Sequence, residues 1–401
     1  MSDSDGMIRH ETPTRREYAK YGGAVVGGGL LAGCIGEGEP GDDSTATEAT
    51  GEETDTSEDM SYSVTMEPMG AVEFDAVPEQ WLAIYNTYGD MGIALGQRDG
   101  IVGFGEPSDF PTQFYDQLPG IDLSFDGVEA LYADGSPDKE TYYELDADVH
   151  LLDTNHVAWI DDNWTAEDFD EIAENVGPIV GNAIRRRGQD WHDYRYYDLY
   201  EAFEKIAEVF QEPERYAALK AVHDELIATI RTDLPPEEDR PTVGLLSISS
   251  DFEKGSFWAY PIIDGNAHKQ YRDLGMRGAF DDAMEKSYAK WDYEQILEID
   301  PEALLFQYAF TSASAAEFED RMEMMRNDPV GQELTAVQNG RLYRGGTELQ
   351  GPIINLFQTE IAAKQFYPNT FGEWRGLGNT PTDEQLFDRV RVADIINGDL
   401  T

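Results

Sequence analysis

The sequence predicts an α/β protein of two Rossmann-like lobes, each a central sheet with flanking helices, bridged by a long helix. Three observations predict it. Short apolar runs alternate with helical stretches in β-α-β order in both halves of the chain. A long amphipathic periodicity lies between the halves. A segment of the first half recurs in the second at a separation of 154 residues.

The composition bounds the rest. A chain of 401 residues with 40% apolar and 11% aromatic side chains has enough to build two or three cores, which excludes wholesale disorder. Its 29 Lys and Arg against 80 Asp and Glu give a formal net charge of −51, and no basic stripe offsets it, which excludes nucleic-acid binding. A single Cys excludes intrachain disulfides and multi-Cys metal sites. The acids are spread along the chain, so self-repulsion opposes the compact state in dilute salt. At molar salt the Debye length falls to about 3 Å and that repulsion is screened, so we read the composition as halophilic.

Residues 1–33 read as an export signal. Thr14-Arg15-Arg16-Glu17-Tyr18-Ala19-Lys20 resembles the twin-arginine motif, and a Gly-rich, weakly apolar run from Tyr21 to Gly33 follows it, too short for a comfortable membrane span. Leu31-Ala32-Gly33-Cys34 looks like a lipobox, which makes Cys34 the lipidation site. Residues 34–60 then form an acidic, Gly- and Ser-rich tether with too little apolar surface to fold. The expected location is the outer face of the cell membrane, lipid-anchored, as in twin-arginine-exported lipoproteins of haloarchaea.

The N-terminal lobe is expected over residues 61–195. Its strands are Trp81 to Tyr85, Ile101 to Phe104 and Val149 to Asp153, with a helix after Gly89. The bridging helix is expected over 196–234, where Leu199, Phe203, Ile206 and Phe210, then Leu219, Val222, Leu226 and Ile230, recur at spacings of three and four. Pro213 is a candidate break within it, since proline disfavours helix in the preceding residue. The C-terminal lobe is expected over 235–401, opening after Pro235-Pro236 with strands at Thr242 to Ile248 and Ala303 to Gln307.

Glu140-Thr141-Tyr142-Tyr143-Glu144-Leu145-Asp146-Ala147-Asp148-Val149 and Glu294-Gln295-Ile296-Leu297-Glu298-Ile299-Asp300-Pro301-Glu302-Ala303 carry the repeat. Each places a Glu five residues before an apolar residue and eight before the acid that precedes a strand. The pattern resembles the E-x-L-L-x-L-x-P-D-L-V segment found once per lobe in substrate-binding proteins of ABC importers for iron-siderophores, haem and cobalamin, the class III periplasmic binding proteins. Val337-Gln338-Asn339-Gly340-Arg341-Leu342-Tyr343 and Ala362-Ala363-Lys364-Gln365-Phe366-Tyr367-Pro368 are similar to later segments of that family. Asp146-Ala147-Asp148 departs from the usual Pro-Asp, and the stretch from Asn182 to Tyr197 is longer than a minimal member needs.

The resemblance implies a ligand cleft at the carboxyl ends of the strands, where open α/β sheets bind in any case. Aromatic residues of the loops there, Tyr85, Tyr88, Phe104, Trp159, Phe257, Trp258, Tyr260 and Tyr308, are candidate walls for a bulky chelate, and His156 is a candidate polar contact. Arg185, Arg186 and Arg187 could supply charge to an anionic chelate or form surface ion pairs. The resemblance also implies that Glu140 and Glu294 dock on the two permease subunits. The expected function is capture of a ferric-siderophore, or cobalamin or haem, and its delivery to an ABC permease with its ATPase subunits. No cofactor and no protein-bound metal is expected; iron enters only within the chelate. The alternatives are a free metal-ion receptor, which would want converging His residues, and a surface enzyme. The six His, at 10, 150, 156, 192, 223 and 268, form no His-x-His or His-x-x-His pair, and no nucleophile elbow, zinc-protease or P-loop motif occurs.

Overall fold

The computed structural model describes residues 61–132 and 137–400. The export signal expected over 1–33, Cys34 and the tether to residue 60 lie outside them. A hairpin, β1 (Tyr62–Met66) and β2 (Gly70–Phe74), opens the described chain and pairs antiparallel. It has no counterpart among the strands expected from the sequence.

The first sheet has the order β5-β4-β3-β6-β7, with β3 (Trp81–Ala83), β4 (Ile101–Phe104), β5 (Glu129–Ala130), β6 (Val149–Leu151) and β7 (Ile179–Val180). All of its pairings are parallel. The second sheet runs β11-β9-β8-β12-β13, built from β8 (Thr242–Ser247), β9 (Ser256–Tyr260), β11 (Ala289–Asp292), β12 (Ala303–Gln307) and β13 (Leu342–Arg344), and β10 (Arg277–Gly278) also pairs β8. Here β8, β12 and β13 are parallel, while β9 and β11 are antiparallel. The strands β3 and β12 are buried along their whole length, on both faces, and so read as continuous apolar runs.

The long helix expected over 196–234 is two helices, Leu199–Val209 and Pro213–Asp233. Asp198 starts the first with a capping box to Glu201. Pro213 stands in the first turn of the second, where its missing N–H is no loss, and Gln211 just before it takes a positive φ of 53°. The chain therefore turns between them instead of running through.

One apolar core extends from the first sheet through both of these helices to Val243, Leu245 and Leu305 of the second. The almost wholly buried helix Pro352–Phe366 belongs to it. Its first turn is fixed by Asp90, in the helix Asn86–Ala94, whose carboxylate accepts from the amides of Ile353 (2.9 Å) and Ile354 (3.1 Å) and from the Tyr115 hydroxyl. Burial outweighs those bonds and pushes the Asp90 carboxyl up to about 7. A second core lies within the second sheet's helices, and a third behind the first sheet around Leu82, Tyr142 and Ile172.

The sequence repeat is a structural repeat at its amino end. Asp138 caps the helix Lys139–Leu145 and Asp292 caps Tyr293–Ile299, each by accepting from the third amide of its helix. Asp146 and Asp300 end those helices with φ of 46° and 49°. The acids two residues further on each hold the start of the neighbouring strand: Asp148 accepts from the amides of Glu79 and Gln80, and Glu302 from that of Thr242.

Candidate functional site

The carboxyl ends of β3, β6 and β7 and those of β12 and β13 converge on one cluster of polar and aromatic side chains. Asp153, directly after β6, organises the first-sheet side. Its Oδ1 caps the helix Thr154–Ile160 by accepting from Asn155 and His156, and its Oδ2 accepts from the Ala183 amide (2.7 Å) and the Tyr194 hydroxyl (2.6 Å). That cap turns His156 inward against Tyr85 (ring centroids 4.8 Å) and against Trp191 (5.2 Å). Trp159, half exposed, continues the stack, 5.8 Å from His156 and 5.9 Å from Trp191.

Several polar atoms of this wall are buried without a hydrogen-bond partner among the described residues: Tyr85 Oη, Tyr132 Oη, His156 Nδ1 and Trp191 Nε1. Buried polar groups are ordinarily satisfied by protein or by water, so each of these atoms is open to a water or a ligand. Burial, with the Arg185 charge adding to it, lowers the His156 imidazole to about 3. Burial likewise raises the Tyr85 hydroxyl well above its usual value. Both groups are therefore neutral at ordinary pH, the tyrosine as a donor and the imidazole as donor or acceptor by tautomer.

Arg185 and Arg186, just after β7, reach across to the second sheet. Arg185 Nε and Arg186 Nε both lie 2.8 Å from Glu348 Oε2, and Arg186 Nη2 lies 2.7 Å from Oε1. Arg185 Nη2 also donates to the Tyr308 hydroxyl at 2.9 Å. Tyr308 is the first residue after β12 and has φ of 62°, a left-handed conformation rare for an aromatic, held by its amide bond to Gly346 O (2.7 Å). Tyr260 faces the Arg186 guanidinium at 5.7 Å. Glu348 is fully buried; burial alone would raise its carboxyl, but Arg185, His268 and Arg186 hold it well below the usual carboxylate range.

Of the twelve ligand-contact residues proposed from the sequence, seven meet here: Tyr85, His156, Trp159, Arg185, Arg186, Tyr260 and Tyr308. Three are corrected to core residues. Phe104 is fully buried against Phe110 and Phe125, and Phe257 against Phe252 and Tyr293, because the inward face of each strand is apolar. Tyr88 is buried with its hydroxyl bonded to the backbone of Asn182. Trp258 lies on the antiparallel side of the second sheet against Tyr288 and Lys290 instead of in the cluster. Arg187 stacks on Tyr196 at 4.6 Å and lines a separate cavity of about 420 Å³ with Lys220, His223, Lys269 and Arg272. Glu140 and Glu294 are both exposed, each the second residue of its helix.

The sequence reading missed Asp153, Trp191, Tyr194 and Glu348. Asp153 had a legible signal, an acid closing an apolar strand before a helical stretch. Glu348 had none, because only the fold brings it to two arginines 162 and 163 positions away.

The cluster offers two guanidinium groups, neutral tyrosine hydroxyls, a neutral imidazole and flat aromatic faces, the equipment for holding an anionic ligand with organic bulk. Among the described residues no group of three or more His, Cys, Asp or Glu is arranged to hold a metal ion, and no helix is long and apolar enough to cross a membrane.

A family model for periplasmic binding proteins matches residues 82–349. Its span takes in both sheets and the loops that form the cluster. The chain belongs to this family. No curated protein matches it. Among solved structures, a periplasmic binding protein from Veillonella parvula is similar with a TM-score of 0.55 at 17% identity, over 77% of this chain and 97% of that one. An iron uptake ABC transporter substrate-binding protein from Streptococcus pneumoniae gives 0.53 at 15% identity, over 76% and 97%. A Staphylococcus aureus protein solved in complex with staphyloferrin B gives 0.51 at 13% identity, over 76% and 98%. At these identities the likeness is one of fold.

Proposed function

We propose that this member of the periplasmic binding protein family is the extracytoplasmic, lipid-anchored receptor of an ABC importer and takes up a ferric-siderophore, with cobalamin and haem as the other chelates of the same kind. One observation carries the reading: loops from the carboxyl ends of both sheets bring two arginines, neutral tyrosines and an aromatic stack to one place. The fold-level neighbours from Streptococcus pneumoniae and Staphylococcus aureus, described by iron uptake and by a bound siderophore, support the ligand class.

The protein binds and releases and performs no chemistry on its ligand. Iron arrives inside the chelate as cargo. Cys34 carries the lipid after twin-arginine export, and the acidic surface is suited to molar salt. Glu140 and Glu294, exposed at matching places in the two halves, dock on the two permease subunits as the family resemblance implies.

Tryptophan-fluorescence titration in molar KCl tests the ligand. Trp159 and Trp191 sit in the stack, so a ferric hydroxamate or catecholate, cobalamin or haem that binds there changes their emission. Saturable binding of one of these supports the proposal. Binding of free metal ions alone would make the protein a metal receptor, and binding of a sugar or peptide alone would overturn the ligand class.

A further inference from the structure

Residues 183–194 depart from the first sheet after β7 and return before the helix Leu199–Val209. Their two ends are tied together by Asn182, whose Nδ2 donates to Arg195 O (2.9 Å) and to Glu67 O (2.8 Å). Asn182 is itself fully buried and bonded through its backbone to the Tyr88 hydroxyl. This is the geometry of an Ω loop, a compact excursion with a closed neck.

The loop has two anchors, one on each half of the molecule. On the second half, Asn266 and Ala267 donate their amides to Ile184 O (2.9 Å) and Arg185 O (2.7 Å), and Arg187 donates to Asp264 O (3.2 Å). Gly265 makes this approach possible: its φ is 109°, and a Cβ there would stand 2.6 Å from the Tyr196 hydroxyl and 2.8 Å from Arg185 O. The two arginines then meet buried Glu348. On the first half, Asp153 receives the Ala183 amide and the Tyr194 hydroxyl, and Trp191 lies on His156 and Trp159.

We propose that this Ω loop is an internal strap that fastens the carboxyl ends of the two sheets to each other, with Glu348 occupying the arginine pair in place of a ligand anion. Opening the cluster then requires the Arg185–Glu348 and Arg186–Glu348 pairs to part, while the outer anchor on Asp153 stays made. The asymmetry has a physical basis. The inner anchor combines three backbone hydrogen bonds with one carboxylate shared by two cations, and replacing that carboxylate leaves both guanidinium groups competing for other anions. The outer anchor is a set of neutral-donor bonds to a carboxylate that also caps a helix, and no ligand charge can substitute for it.

The test uses the folded chain with Cys34→Ser, carrying spin labels at Glu174→Cys on the first half and Asp320→Cys on the second, both exposed positions. Glu348→Gln, and separately Arg185→Gln with Arg186→Gln, are expected to lengthen or broaden the label-to-label distance distribution. The same variants should cut the hydrogen-exchange protection of the Asn266, Ala267 and Arg187 amides at least tenfold, with protection of the Ala183 amide changed less than twofold. A folded variant with unchanged distances and unchanged protection overturns the proposal. Should the charge variants fail to fold, Tyr194→Phe carries the test from the other anchor: it should at least double acrylamide quenching of Trp191 and leave the protection of Asn266 and Ala267 intact. Loss of protection at both anchors together in that variant would also overturn it, because the loop would then be one rigid unit and not a two-anchor strap. None of these readouts depends on which ligand the protein takes.

Discussion

The helix–strand units that begin at Asp138 and Asp292 are alike on the way into their strands and unlike on the way out. Both have an Asp cap, an exposed Glu at the second helical position, an Asp in left-handed conformation at the end, and an acid that holds the neighbouring strand. Beyond the strands the correspondence fails. Asp153 caps a helix and anchors the strap, whereas Gln307 at the matching position pairs with His268, and Tyr308 after it turns back at positive φ. Within the strands, buried His150 stands where the second half has Leu304. The amino edges hold the same scaffold and the carboxyl edges carry the candidate site, so the repeat survives where the two halves have the same task and is lost where each brings different side chains to the cluster.

The largest expected effect tests whether the matching glutamates share one task outside the fold. Glu140→Ala with Glu294→Ala should reduce uptake in cells and ligand-stimulated ATP hydrolysis in reconstituted transporter to background. Ligand affinity and melting temperature should be nearly unchanged, because both side chains are exposed. Full transport by the double variant would sink the docking role, and lost ligand binding would move the pair into the site.

Next come the unlike exits. Asp153→Ala strands the Ala183 amide, the Tyr194 hydroxyl and two helix amides, and should cost about 3 kcal/mol in chemical denaturation. Gln307→Ala, which removes a single side-chain bond to His268, should cost less. Equal losses would mean that the two exits are energetically equivalent after all.

His150 gives the halves a different response to acid. Burial lowers its imidazole to about 4, despite its bonds to Gly177 O and Pro178 O. The folded state therefore prefers it neutral, so its contribution is complete above the unfolded value near 6.5 and is lost as pH falls toward 4. Between pH 7 and pH 5 that loss is roughly 2 kcal/mol for one buried imidazole. His156 and His223 shift the same way, and Asp90, raised to about 7, acts in the opposite sense. Comparing His150→Leu with the parent at both pH values isolates this one group. The variant should lose less stability on acidification, and an identical pH dependence would contradict the assignment.

The smallest effect tests the likeness itself. Asp138→Ala and Asp292→Ala each remove one helix cap and should each cost about 1 kcal/mol. Values differing by more than a factor of two would show that the two amino edges are alike in geometry but not in energy.

The sequence by itself determined the local and periodic features. The central parallel strands and the repeat with its two glutamates follow from apolar runs and spacing, which act between residues close in the chain, and Pro213 marked a candidate break in what was expected as one helix. It also carried the family, because the repeated segments are contiguous. The hairpin Tyr62–Phe74 and the antiparallel β9 and β11 were not legible, since mixed polar strands such as Tyr62–Met66 take their conformation from the partner they pair with. Only the tertiary structure decided which aromatics were walls and which were core. Tyr85 and Tyr88 are three residues apart on the same segment, yet one hydroxyl has no hydrogen-bond partner among the described residues and the other is spent on the neck of the strap. Only the fold, too, could set Glu348 between Arg185 and Arg186. A charge pair that close is a matter of distance in space, and a long separation in sequence leaves no pattern from which to read it.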